Sequence, residues 1–111
     1  MQFLLLIYEN EARFAKGFDP GEFEEYQAFG EKHASAIKGG NALQATPTAQ
    51  TVRVRNGKPL TTDGPFAETK EQLGGYYLVE AADRAAAAAM AAKIPAARFG
   101  CVEVRPIMTF S

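Results

Sequence analysis

The chain has 111 residues, with 12 basic against 13 acidic side chains for a net charge of -1, and 47% of it is apolar. That is enough for one hydrophobic core and too little for two, so a single domain over residues 1–111 is expected. Basic residues form no cluster, which removes the electrostatic footprint of nucleic-acid or anionic-membrane binding, and one cysteine, Cys101, excludes an intramolecular disulfide and cannot build a metal site alone.

The opening "MQFLLLIYEN" lacks a basic start and a small-residue cleavage site, so it reads as a buried strand of a cytoplasmic protein and not as a signal peptide. Over residues 2–8, Phe3, Leu5 and Ile7 point to one side and Leu4, Leu6 and Tyr8 to the other, so both faces need cover. A helix is predicted to start at Asp19, a side-chain cap followed by Pro20 at the first helical position, with Glu22 closing a capping box. Gly39 and Gly40 read as its stop, and Phe23, Tyr26, Gly30, His33 and Ile37 as its apolar stripe.

From Thr51 the pattern alternates, Val52 and Val54 against Arg53 and Arg55, up to Asn56-Gly57, a strong hairpin signal. The return strand is Lys58 to Thr62, and Pro59, which lacks a backbone donor, places the hairpin at a sheet edge. After the turn Asp63-Gly64-Pro65, a strand over 73–80 leads to Asp83, which caps an alanine-rich helix ending before Pro95. Alanine favours helix and lets it lie close to a sheet, with Met90 and Ile94 supplying bulk. In the last strand, residues 101–105, Val102 and Val104 point inward and Cys101 is expected to be a small buried hydrophobe.

Two β-α-β halves with an inserted hairpin imply an α+β fold, a ferredoxin-like βαβ(ββ)βαβ sandwich with both helices on one face of an antiparallel sheet. The other face, carrying part of the first strand and one of Tyr76 and Tyr77, is then bare, and apolar patches of that size are unusual on monomers. A symmetric homodimer that packs two sheets face to face, a dimeric α+β barrel, resolves this.

The runs "LLLIYENE", "DGPFAETKEQLGGYYLVEA", "KIPAARFG" and "VEVRPIM" together resemble the YCII-related family in its DGPF-type branch, across almost the whole chain. The resemblance implies a dimeric α+β barrel related to enzymes that isomerise or dehalogenate muconolactone-like ring-cleavage products. It also implies a regulatory context for some members, encoded beside extracytoplasmic-function sigma factors. Shorter members are thought to use a histidine early in the first helix. Here that region holds Phe23 and Tyr26, so no such histidine is carried over.

Asp63 is the candidate acid or base, because Gly64 and Pro65 fix the direction of its carboxylate and partial desolvation in a dimer interior would raise its pKa. An Asx-turn that uses the carboxylate on nearby amides is the competing reading. His33, facing inward on the helical stripe, is a candidate catalytic partner or else a core histidine. Tyr8, Gly64, Phe66, Glu68 and Lys70 are candidate ligand-binding residues around the same cleft, while the charges could equally form surface ion pairs and Phe66 could wedge its loop onto the core. No phosphate loop, dinucleotide fingerprint or metal-ligand spacing occurs, so no cofactor and no metal are expected. Two functions follow: a cofactor-independent acid–base enzyme of lyase, isomerase or dehalogenase type acting on a small molecule, or a ligand-binding or regulatory module without turnover. A purely structural dimer is the third.

Overall fold

The computed structural model describes residues 1–15 and 17–110. Eight elements follow one another: β1 (Gln2–Glu9), α1 (Pro20–Lys32), β2 (Ile37–Ala42), β3 (Gln50–Arg55), β4 (Lys58–Asp63), β5 (Gln72–Glu80), α2 (Arg84–Ala91) and β6 (Cys101–Pro106). Single 3-10 turns at Glu11–Phe14, Thr46–Thr48 and Pro95–Arg98 join some of them.

Four strands form one sheet in the order β2-β5-β1-β6, each pair antiparallel. Each β-α-β half therefore has a strand of the other half between its own two strands, the interleaving of a ferredoxin-like sandwich. Alternation along β1 sends Phe3, Leu5 and Ile7 to the helix side, where they join Phe29 of α1, Val79 of β5 and Ala87 and Ala91 of α2 in one buried cluster. Ala87 and Ala91 lie one turn apart, and their methyls let α2 lie close to the sheet while Ile94, just beyond it, fills the remaining volume. Asp83 caps α2 as expected, accepting from the Ala86 N–H at 2.8 Å.

Four expectations need correction. First, α1 stops at Lys32, and Ala36 and Ile37 both donate to the His33 carbonyl to turn the chain, so residues 37–42 are free to pair as β2. Gly40 does not cap a helix; it permits close strand approach, since a β-carbon there would lie 2.7 Å from the Tyr76 carbonyl oxygen. Second, the buried stripe of α1 runs through Glu22, Tyr26, Phe29 and His33, one residue out of phase at its start, so Phe23 is 54% exposed while Phe29 is 4% exposed. Asp19 does cap the helix, donated to by Gly21 at 3.2 Å, but Glu22 turns inward and closes no capping box. Third, the hairpin β3–β4 is not an edge of the main sheet but a separate two-stranded sheet. Its turn is as expected, with Asn56 at φ 53° and Gly57 at φ 75°. Fourth, Cys101 is exposed, because it starts β6 at the rim opposite Tyr8.

Among the described residues no helix covers the second face of the sheet. Leu4, Leu6 and Tyr8 of β1 share it with Tyr76 and Leu78 of β5, paired directly as Leu4 with Leu78 and Leu6 with Tyr76. Tyr77 faces the other way, onto Phe29, with ring centroids 5.2 Å apart. Among the described residues no helix is long and apolar enough to cross a membrane.

Candidate functional site

At the end of β1 the register against β5 shifts between Ile7 and Tyr8, and Tyr8 emerges at the rim of the bare face. Two loops converge on it. The first, after β2, is fixed by Glu11, whose carboxylate accepts from the Thr46 N–H at 2.8 Å and from the Thr46 hydroxyl at 2.5 Å. The second, between β4 and β5, is held from within by Gln72, whose amide nitrogen donates to the carbonyls of Ala67 at 2.8 Å and Thr69 at 3.1 Å.

Between these loops runs a groove of about 610 Å³ with Tyr8 at one end. Leu43, Ala49, Pro65 and Leu73 give it apolar walls; Thr46, Thr48 and Glu71 add polar groups. A second groove of about 470 Å³ shares Tyr8, Thr69 and Glu71 and adds Lys70 and Cys101. The Tyr8 hydroxyl lies 3.5 Å from a carboxylate oxygen of Glu103, whose other oxygen is held by Arg105. Burial first, and the Glu103 charge second, raise the Tyr8 pKa, so the phenol stays neutral and offers a proton.

The candidates named from the sequence fall into two groups. Tyr8, Phe66 and Lys70 border the grooves, Phe66 as a ring 82% exposed at the rim. Gly64, at φ 100°, turns the chain at the base of the hairpin, where its N–H donates to the Ala49 carbonyl at 2.8 Å and its carbonyl accepts from the Thr51 hydroxyl at 2.9 Å. Glu68 is exposed and lines neither groove.

Asp63 also lies outside both grooves, as the last residue of β4, exposed and opposite Gln50. Its carboxylate has no hydrogen bond or ion pair among the described residues, so the turn amides do not engage it. His33 terminates α1 on the helix side, its ring 4.6 Å from Phe29 and its Nε2 buried without a partner. Burial, then Lys32 and Lys93, lower its pKa, and no hydrogen bond or ion pair joins it to Asp63. Among the described residues no three His, Cys, Asp or Glu side chains are grouped so as to hold a metal ion.

Comparison with known proteins matches the model of the YCII-related domain to residues 1–111. The chain belongs to the YCII-related domain family. It is also 34% identical over 117 residues to an uncharacterized protein of Rhizobium meliloti (strain 1021), an alignment covering 99% of this chain and 94% of that one.

On the helix side this YCII-related domain carries a buried charge cluster that no motif had indicated. Glu9 and Glu22, 5% and 4% exposed, share one guanidinium, that of Arg13, at 3.1 and 2.8 Å. Arg13 stacks 3.8 Å above the Phe99 ring, and the charges of both carboxylates act on Tyr26. Burial raises the Glu9 pKa more than Arg13 lowers it, and Tyr26, also desolvated, is raised further still. The cluster pins the segment after β1 to α1 and the loop before β6, and so holds Tyr8 and Glu11 in place from behind. The i,i+4 spacing of Glu9 and Arg13 was the only trace of it in the sequence.

Proposed function

We propose that this YCII-related protein, of the DGPF-type branch by its run Asp63-Gly64-Pro65-Phe66, is a homodimer that binds an unidentified small molecule in the groove beside Tyr8, as a ligand-binding or regulatory module. The observation that carries this reading is the groove itself. It is an open groove of about 610 Å³ with apolar walls and hydroxyls beside the bare sheet face, and neither Asp63 nor His33 lines it. The bare face of Leu4, Leu6, Tyr76 and Leu78 supports the dimer, since two such faces satisfy each other by symmetry.

Native mass spectrometry of protein purified from a cell extract tests the reading. A mass in the small-molecule range should be retained by the wild type and lost from Leu73→Trp, which fills the groove. Equal retention by both forms, or none by the wild type over a screened metabolite mixture, counts against it.

A second reading, a cofactor-independent lyase, isomerase or dehalogenase, is favoured by one observation: Tyr8, Lys70 and Glu71 border the smaller groove together. In that reading the neutral Tyr8 phenol is the acid and Glu71, across the same groove, the base. Turnover of a lactone substrate abolished by both Tyr8→Phe and Glu71→Gln, with folding intact, would replace the binding-module reading with this one.

A further inference from the structure

Among the described residues the hairpin β3–β4 pairs with itself and with no strand of the larger sheet, and its extensive contacts are all between its own two strands. An isolated two-stranded sheet is marginal in water. Its two faces also differ. Cross-strand pairing puts Val52, Val54, Pro59 and Thr61 on one face, with Val52 57% and Val54 60% exposed. Arg53, Arg55, Lys58 and Leu60 share the other, where the Arg53 guanidinium lies 5.8 Å from the Phe66 ring. The charged face is suited to water; the valine face is bare.

We infer that this hairpin is an arm that crosses onto a second copy of the chain and packs its Val52-Val54-Pro59 face there, which brings Asp63 and Phe66 at its base to the seam between copies. The inference rests on the dimer of the proposed function and identifies what completes it.

Area singles out this occupant. Strands of 8, 6, 9 and 6 residues, rising about 3.4 Å per residue and spaced about 4.8 Å apart, present roughly 470 Å² of plane. A stable interface removes about 800 Å² per partner from water. The bare sheet face is therefore too small alone, and the valine face of the arm is exposed apolar surface connected with it by the groove that Tyr8, Pro65 and Phe66 line. An acidic partner or nucleic acid would seek the opposite, basic face, and the chain as a whole has a net charge of -1.

The experiment combines sedimentation with cross-linking on the full chain. Val52→Arg with Val54→Arg should raise the dimer dissociation constant about tenfold or more, with an unchanged circular dichroism spectrum because both sites are exposed. A benzophenone side chain at position 54, in a mixture of ¹⁵N-labelled and unlabelled chains, should join heavy to light chains. A wild type that is dimeric, dissociates with Leu6→Arg, ignores the double arginine variant and gives only same-chain cross-links overturns the arm alone. A wild type that is monomeric at micromolar concentration overturns the dimer and the arm together. Nuclease-sensitive association, abolished by Arg53→Glu with Arg55→Glu, assigns the hairpin to nucleic acid and also overturns the inference.

Discussion

The sandwich sheet and the hairpin arm are written in the same alternating pattern and meet different fates. In β1 the residues Phe3 and Leu5 are fully buried, whereas Val52 and Val54, at equivalent places in β3, stay more than half exposed. Strand alternation decides which side chains share a face; what lies against that face decides whether burial follows. For β1 the answer lies in the same chain, because two helices return over it. Over the valine face of β3 no helix or strand among the described residues packs, and Val52 and Val54 stay exposed.

Two phenylalanines sharpen this contrast most. Phe29→Ala removes a ring from the middle of the buried cluster, where it touches both His33 and Tyr77, and should cost about 4 kcal/mol in urea unfolding. Phe66→Ala, at the base of the arm, should cost under about 0.5 kcal/mol when the chain is diluted below association. If the arm docks as inferred, that smaller loss grows with protein concentration. Equal losses at high dilution would mean that the arm is packed within a single chain.

Backbone approach gives the next effect. A β-carbon at Gly100 would lie 2.0 Å from the Tyr8 carbonyl oxygen, which belongs to a paired strand and cannot move aside cheaply. Gly100→Ala should therefore cost about 3 kcal/mol and loosen the strand end that presents Tyr8. In the arm, Val54→Thr should change the stability of the dilute chain by under about 0.5 kcal/mol, measured by the same titration.

Elements announced by short-range chemistry were legible in the sequence: the Asp19 and Asp83 caps, the Asn56-Gly57 turn, the alanine helix, and the strands with clear alternation. What failed depends on partners distant in the chain. Gly39 and Gly40 look like a helix stop until Tyr76 and Tyr77 are seen beside the second of them, and then Gly40 is the small residue a close strand needs. The phase of α1 slipped because Glu22, a charged residue, is buried, and only Arg13 from another segment makes that tolerable. The site was legible in part for the same reason. Tyr8 and the loop after Pro65 stood out by themselves, whereas Thr46 is held at the groove by the hydrogen bonds it donates to Glu11, 35 residues away.

The smallest expected effect is a pH dependence with two opposed parts, and it separates two titratable groups of the helix side, Glu9 and His33, whose pKa values move in opposite directions. Burial raises the Glu9 pKa, so at pH values just above the ordinary carboxylate range the folded chain still holds a proton that the unfolded chain has released. Stability from Glu9 is then complete at low pH and declines as pH rises through that window. His33 works in the other direction. Its lowered pKa means that just below the ordinary imidazole value the unfolded chain binds a proton that the folded chain refuses, so stability is complete above that value and declines as pH falls. Where the windows meet, the slopes offset each other and the wild-type profile should be shallow. Glu9→Gln removes the first and leaves a profile rising with pH; His33→Gln removes the second and leaves one falling with pH. Urea midpoints collected from pH 4 to 7 on all three proteins decide the matter, and a Glu9→Gln profile that still falls with pH would place the proton elsewhere in the Arg13 cluster.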